Sequence, residues 1–223
     1  MSEHVQTLPV IQLKIRLLGI SPMIWRRILV PSKISLKSLH GVIQVAMGWE
    51  GHHLYQYNIY GVHYGSFDLC ISSPEVAIES FQLSVNDRIS YIYDMGDWWE
   101  HELRIEKYLN IDNRRNYPVC IGGSGACPPE DCGGPDGFLM RRDEATGYDA
   151  YQDTEVIADF IEEVIRTDTF ENIQDEDQRW NIERALERSQ SRLAFLDNKF
   201  SRRKINQAFK DNDHEIMMHQ QMW

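Results

Sequence analysis

The sequence predicts an α+β fold in which helices lie against an antiparallel sheet. Two segments that alternate apolar and polar residues, 10–18 and 23–30, flank the turn GISP and predict an antiparallel hairpin. Residues 36–47 then place apolar side chains at helical spacing. Alternation returns further on, and helical periodicity follows only after residue 150; this segregation is typical of α+β domains.

Each of these elements has a local justification. Ser35 precedes the first helix and can cap its free N–H groups, and Gly48 follows where a left-handed C-terminal cap is expected. Alternation predicts further strands over 53–61, 87–94 and 98–109, with a short strand and loop after the first of these.

The predicted strand over 98–109 decides how several notable side chains are oriented. Trp99 and His101 share one face with Leu103, and Trp98 falls on the other face because successive strand residues point to opposite sides. One of the two tryptophans should therefore lie outside the main core.

The chain divides into two predicted regions. Residues 1–137 form a β-rich α+β core that ends in a segment rich in Cys, Gly and Pro, and residues 138–223 form a helical region that packs on the core. Asp153 or Thr154 is the expected N-cap of the first helix in that region. The final stretch, about 12 residues long, has no clear period and is predicted to fray.

Charge and composition limit the partners. The net charge of −11 argues against nucleic acid or an anionic membrane, because the field of the whole molecule repels both. No stretch approaches the ~18 uninterrupted apolar residues of a membrane span.

The first residues lack the basic and apolar regions of a secretory signal, which predicts a cytoplasmic protein with reduced thiols. A protein partner or a homo-oligomer is the expected form of association.

The segment 117–137 is the most distinctive part of the chain. It holds Cys120, Cys127 and Cys132, and its glycines and prolines exclude a helix or a long strand. Three thiols with a histidine would suit zinc, although no closely spaced pair of cysteines is present. Two alternatives stay open: a rigid loop whose thiols pack as small apolar groups, and a disulfide between Cys127 and Cys132.

The fourth zinc ligand would have to come from outside this segment. His101 can reach it if the chain returns along the preceding strand, and His52 and His53 are the other candidates.

Asp94, Asp97 and His101 form a second candidate site. Two carboxylates and an imidazole can hold a divalent metal or act as acid and base. The competing interpretation is structural, because Asp commonly bonds the local backbone beside a tight turn and a histidine on an apolar face is commonly a core residue.

The candidate binding residues are Trp25, Arg26, Trp98 and Trp99. An arginine beside a tryptophan can contact an anion, and large aromatic side chains line protein-binding faces as well as cores. The sequence has no Walker A loop, G-x-G-x-x-G, H-E-x-x-H or G-x-S-x-G, which argues against the enzyme classes those motifs mark.

Three separate blocks carry a family resemblance: IWRRILVPSKISLKSLHGVIQVAMGWEGHHLYQY, YIYDMGDWWEHEL and YPVCIGGSGACPPEDCGGPDGF. In this order they resemble the Ri-plasmid open-reading-frame-3-like family, whose members are often labelled insertion-element passenger proteins of TnpR type. The resemblance covers roughly residues 9–165 and departs at Met95, where the family usually has Phe. It implies a compact prokaryotic α+β domain associated with plasmids or mobile elements, and it brings no activity.

The favoured function is therefore a cytosolic binding or interaction module, in preference to an enzyme, whose cysteine loop is a structural element and a candidate zinc site. One alternative is a metal-dependent hydrolase or nuclease-like enzyme that uses Asp94, Asp97 and His101. The other is an accessory protein in DNA transactions, which rests on the family label alone.

Overall fold

The computed structural model describes residues 9–169, 175–196 and 199–219. Internal contacts divide the chain into two compact units: Met1–Pro135 together with Lys199–Trp223, and Asp136–Asn198. The predicted division at residue 137 placed everything after it in one helical region, whereas the segment from Lys199 groups with the sheet.

The first unit is built on one antiparallel sheet of seven described strands, in the order β4-β3-β5-β6-β1-β2-β7. The α+β prediction is confirmed. The strands are β1 (Pro9–Leu17), β2 (Trp25–Pro31), β3 (Tyr55–Ile59), β4 (Val62–Gly65), β5 (Arg88–Tyr93), β6 (Trp99–Asn110) and β7 (Val119–Ser124).

The Cys-rich segment supplies the edge strand β7, which sequence reasoning did not expect there. Its backbone pairs with β2, and the register shift between Arg27 and Ile28 accommodates the irregular, glycine-rich partner. The rest of the segment is loop up to Gly133, and a helix begins at Gly134, inside the segment whose glycines and prolines were expected to exclude one.

The described helices are α1 (Leu36–Met47), α2 (Gly134–Glu144), α3 (Tyr148–Thr167), α4 (Glu176–Leu196), α5 (Arg202–Lys210) and α6 (Asp213–Met217). None of them combines the length and the apolar character that crossing a membrane requires.

Helix α1 covers one face of the sheet and has both predicted caps. The Ser35 side chain accepts a hydrogen bond from the Ser38 N–H, and Gly48 closes the helix with φ +85°. The His40 ring stacks on Tyr55 at 3.8 Å, and both His40 Nδ1 (2.8 Å) and Gln44 Nε2 (2.9 Å) meet the Tyr91 hydroxyl. The core under α1 is thus apolar with a hydrogen-bonded polar centre.

The C-terminal helices α5 and α6 pack against α1. A Cβ on Gly41 would lie 2.0 Å from the His214 carbonyl oxygen, so the two backbones approach each other closely there. Within the stretch that was predicted to fray, Asp213–Met217 is helical. Residues 220–223 lie outside the described part of the chain.

The second unit contains a contact between α3 and α4 that is centred on a buried carboxylate. Asp153 accepts hydrogen bonds from Arg188 (2.9 Å) and from Arg192. Helix α3 begins at Tyr148 after Gly147, so the expectation that Asp153 or Thr154 caps it is wrong. Asp153 instead forms ion pairs with Arg188 and Arg192, which join α3 to α4.

Candidate functional site

Three loops of the first unit meet where β3 begins, β5 ends and β6 begins. They are 48–54, 94–98 and 125–133, and each contributes one side chain: His53, Asp94 and Asp131. His53 Nε2 lies 3.2 Å from Asp131 Oδ1 and 3.7 Å from Asp94 Oδ2. We call this set of three residues the His–Asp corner.

The β5–β6 turn holds Asp94 in place. Asp94 has φ +61°, a left-handed conformation in which Asp is one of the few tolerated residue types. Its Oδ1 accepts hydrogen bonds from the N–H groups of Gly96 (2.8 Å) and Asp97 (3.3 Å). Oδ2 therefore faces His53 while the carboxylate stays 9% exposed.

The Cys-rich loop is attached to this turn by its backbone. Asp97 Oδ2 accepts a hydrogen bond of 3.0 Å from the Gly133 N–H. A Cβ on Gly134 would lie 2.3 Å from the Asp97 carbonyl oxygen, so the contact requires glycine, which also has φ +68°. Asp97 thus positions the loop that carries Asp131.

The same loop is held on its other side by Glu130. The Tyr93 hydroxyl donates to Glu130 Oε1, and the Glu50 N–H donates to Oε2 at 2.7 Å. Burial, with a contribution from Glu130, raises the pKa of Tyr93 above its ordinary value, so the phenol stays a donor. Nearby, Trp49 Nε1 donates to the Pro128 carbonyl at 2.9 Å.

The ligand atoms of the His–Asp corner suit a divalent cation. All three lie within 4.8 Å of one another. An imidazole nitrogen and carboxylate oxygens are ligands that Zn²⁺ and other first-row ions accept. The Asp131 carboxylate is 75% exposed and His53 is 31% exposed, so one side of the corner is open to solvent.

The predicted zinc ligands are not brought together. Among the described residues, the ligand atoms of the His–Asp corner all lie within 4.8 Å of one another. No group that close is formed by the predicted set of Cys120, Cys127, Cys132 and His101. His101 is fully buried, its Nδ1 lies 3.0 Å from the Trp99 carbonyl oxygen, and burial lowers its pKa to about 3. It is a neutral core residue, as the structural interpretation held.

No disulfide joins Cys127 to Cys132. Cys120 and Cys132 are buried, and burial raises the pKa of Cys127 to about 11 although Arg26 lies beside it. Two of these thiols also have polar contacts: Cys120 Sγ lies 3.5 Å from the Gly122 carbonyl oxygen, and Cys127 Sγ lies 3.2 Å from Arg26 Nη2.

Arg26 is a structural cation and not a surface binding residue. It is 3% exposed, its Nε donates to the Ala46 carbonyl at 2.8 Å, and its Nη1 donates to the Ser124 carbonyl at 2.9 Å. Its Nη2 lies 3.2 Å from Cys127 Sγ. The C-terminal carbonyl of α1 suits a cation because partial negative charge gathers at that end of a helix.

The three predicted tryptophans take different positions. Trp99 is fully buried in β6, whereas Trp98 is 50% exposed in the turn before β6, where its φ is +56° and its N–H donates to the Asp94 carbonyl at 2.7 Å. Trp25 is partly buried on the other face of the sheet, where Lys14 Nζ lies 5.3 Å from its ring centroid.

Sequence reasoning missed Asp131 and treated His53 only as an auxiliary ligand for the thiols. Asp131 follows Glu130 in a loop and has φ +56°. This backbone conformation is visible only in the structure, and the partners of Asp131 lie far away in the sequence, so no local sequence signal marks it.

Comparison with known proteins gives a consistent result. The sequence model of the family described as plasmid pRiA4b ORF-3-like protein matches residues 9–192. A protein of Sinorhizobium fredii (strain NBRC 101917 / NGR234), described as uncharacterized protein y4hQ, is 36% identical over 135 residues, which are 58% of this chain and 69% of that protein. The crystal structure of MM3350 from Methanosarcina mazei Go1, titled a protein of unknown function, has a TM-score of 0.59 and 33% identity; the match covers 66% of this chain and 88% of that one.

Proposed function

The chain belongs to the plasmid pRiA4b ORF-3-like family, and we propose that it is a divalent-cation-binding module whose bound ion fixes the surface that a protein partner recognises. The observation that carries the proposal is the geometry of the His–Asp corner, where His53, Asp94 and Asp131 converge from three loops.

Charge balance supports a cation at this position. Asp94 is buried, and a buried carboxylate needs a positive charge or hydrogen bonds to compensate it; two backbone N–H groups satisfy Oδ1, so Oδ2, which faces His53, is the oxygen that a cation would bind. Among the described residues, His53 is the one that lies within 4 Å of both carboxylates. A divalent ion would neutralise both carboxylates while the imidazole stays neutral, which is the form that binds metal.

The bound ion would act as a clasp between loops. Each ligand lies on a different loop, so coordination would cross-link them and reduce their freedom in the bound state. Trp98 is the exposed aromatic residue next to the clasp, and tryptophan is enriched among residues that dominate protein interfaces. Exposed apolar side chains on α3 and α4, such as Ile165 and Trp180, also favour a protein partner.

A metal-dependent hydrolase is the second candidate, and one observation favours it. Three protein ligands leave a coordination position for water, which is how catalytic zinc sites differ from closed structural ones. In this version His53 takes the place that sequence reasoning gave to His101, and Asp97 positions the loop and does not bind the metal.

The test is a titration of the EDTA-treated protein with Zn²⁺ and Mn²⁺, followed by calorimetry and by thermal unfolding. A specific site would stabilise the fold by about 2.7 kcal/mol at a free-ion concentration of 100 times Kd. His53→Gln and Asp94→Asn should abolish this gain. The matched control is His52→Gln, because His52 is the adjacent histidine and is bonded to Glu50 on the surface.

If the ions stabilised His53→Gln and His52→Gln equally, the metal proposal would be refuted. Turnover of a generic phosphate or carboxylate ester by the loaded protein, lost in His53→Gln, would select the hydrolase over the binding module. Sedimentation with and without the ion detects a second copy as the partner, with Trp98→Ala as the interface variant.

A further inference from the structure

A row of four cationic side chains crosses the sheet on the face opposite the core. Arg88 of β5 is directly opposite Arg104 of β6, Arg104 is opposite Lys14 of β1, and Lys14 is opposite Arg27 of β2. Like charges in directly opposed positions destabilise a sheet. Four in succession, on a chain with net charge −11, call for a compensating partner.

Two members of the row have such a partner inside the chain. Arg27 makes two hydrogen bonds to Glu106, and the hydrogen bond from Arg27 lowers the pKa of Glu106 to about 2. Arg88 Nη1 pairs with Glu102 Oε2 at 2.8 Å. The outer cations are therefore neutralised locally.

The inner cations have weaker compensation: Arg104 contributes only at a distance to the lowered pKa of Glu106, and Lys14 lies over the Trp25 ring. Lys14, Arg104 and the adjacent Arg16, which is opposite Glu102, form no hydrogen bond or ion pair with any residue that the structure describes. Arg104 Nε is moreover buried and has no acceptor within that part of the chain. A desolvated donor without an acceptor costs free energy, and an external acceptor would recover it.

These inner side chains surround a small cavity of about 140 Å³ between β1, β5 and β6. Four cationic side chains face one carboxylate there. The lining residues are Lys14, Arg16, Met23, Arg88, Glu102 and Arg104.

We propose that this cavity binds the phosphate group of a small phosphorylated ligand, with Arg104, Arg16 and Lys14 as the donors. Guanidinium groups present planar forks that match phosphate oxygens, and charge-assisted hydrogen bonds of this kind are the strong ones. A dianion would also remove the repulsion between Lys14 and Arg104 across β1 and β6.

The ligand is a small phosphate ester and not a nucleic acid for two reasons. The cavity accommodates one anionic group, and the charge of −11 repels an extended polyanion. Trp25 lies beside the row, with Lys14 at 5.3 Å and Arg27 at 5.1 Å from its ring centroid, and its ring can pack against the organic part of the ligand.

The test is calorimetric titration of the full chain with inorganic phosphate, pyrophosphate and phenyl phosphate. EDTA is present throughout, so a metal ion at the His–Asp corner cannot recruit the anion and the result does not depend on the proposed function. The expected result is one site per chain, with phenyl phosphate tighter than inorganic phosphate.

Arg104→Gln should weaken binding about tenfold or more, because it removes a charge-assisted hydrogen bond. Arg16→Gln, at an exposed position, should do the same and covers the case in which Arg104→Gln fails to fold. Arg114→Gln is the matched control, because Arg114 is exposed in the turn after β6, away from the row.

Three other outcomes would each contradict the phosphate-binding proposal. Equal weakening by Arg114→Gln would mean that the anion only screens the general charge. Binding of a short single-stranded DNA but of none of the three phosphates would assign the row to nucleic acid. Absence of binding by all probes, in a chain shown to be folded, would leave the row without a phosphate ligand.

Discussion

The Gly41→Ala substitution tests whether α6 packs on α1. Gly41 lies inside α1, and an added Cβ would be 2.0 Å from the carbonyl oxygen of His214 and 3.2 Å from the backbone N of Met218. Both contacts are with backbone, which cannot rotate away as a side chain would. The added Cβ would therefore force either α6 or α1 to shift.

Two effects of opposite sign set the magnitude. Alanine in place of glycine inside a helix gains about 1 kcal/mol from propensity alone. Overpacking a well-packed contact costs typically about 1–3 kcal/mol, and a clash with backbone belongs at the upper end. We therefore expect the free energy of unfolding to fall by about 1–2 kcal/mol in the full chain.

Urea unfolding followed by circular dichroism measures this change. The control is the same substitution in a chain that ends at Asp211 and so lacks α6. There the clash is gone, and alanine should stabilise the protein by up to about 1 kcal/mol. If Gly41→Ala stabilised the full chain as well, α6 would not occupy the position described above.

Two further predictions concern ionisation. The hydrogen bond from Arg188, with help from Arg192, lowers the pKa of Asp153 to about 2 from its ordinary 3.8, so its contribution to stability is present above pH 3.8 and is lost as pH falls towards 2. Asp153→Asn should remove this acid dependence, measured by helix content, and lower the stability of the second unit by about 2 kcal/mol; an unchanged acid transition would contradict the pairing. Cys70 is exposed and should react first with a thiol reagent, whereas burial raises the pKa of Cys127 to about 11 and should make it slow. Cys70→Ser should remove the fast phase, and a fast phase that survives would place a reactive thiol elsewhere.

Features determined by neighbouring residues could be predicted from the sequence. Ser35 and Gly48 bound α1 because capping depends on a few adjacent backbone groups, and both are confirmed. Trp99 is buried and Trp98 is exposed, as the sequence predicted, but Trp98 lies in the turn before β6 with φ +56°, so its exposure follows from the turn and not from strand alternation.

Features determined by register and loop convergence could not be predicted. A bulge between Gln12 and Leu13 shifts the pairing of β1 with β6, so only the structure shows that Lys14 and Arg104 are opposed. The His–Asp corner likewise joins loops from separate parts of the chain, and the spacing of its members in the sequence carries no periodic signal.

Asn206 of α5 has a consequence for the solution behaviour of the protein. Its Oδ1 accepts a hydrogen bond of 2.7 Å from the Cys120 N–H, and its Nδ2 donates to the Cys120 carbonyl at 2.9 Å. One side-chain amide thereby imitates the backbone of a neighbouring strand along the outer edge of β7. An uncovered strand edge is a template for another chain, so the amide blocks edge-to-edge association. Chains that lose α5 through proteolysis should therefore aggregate through β7 even while the rest of the sheet stays folded.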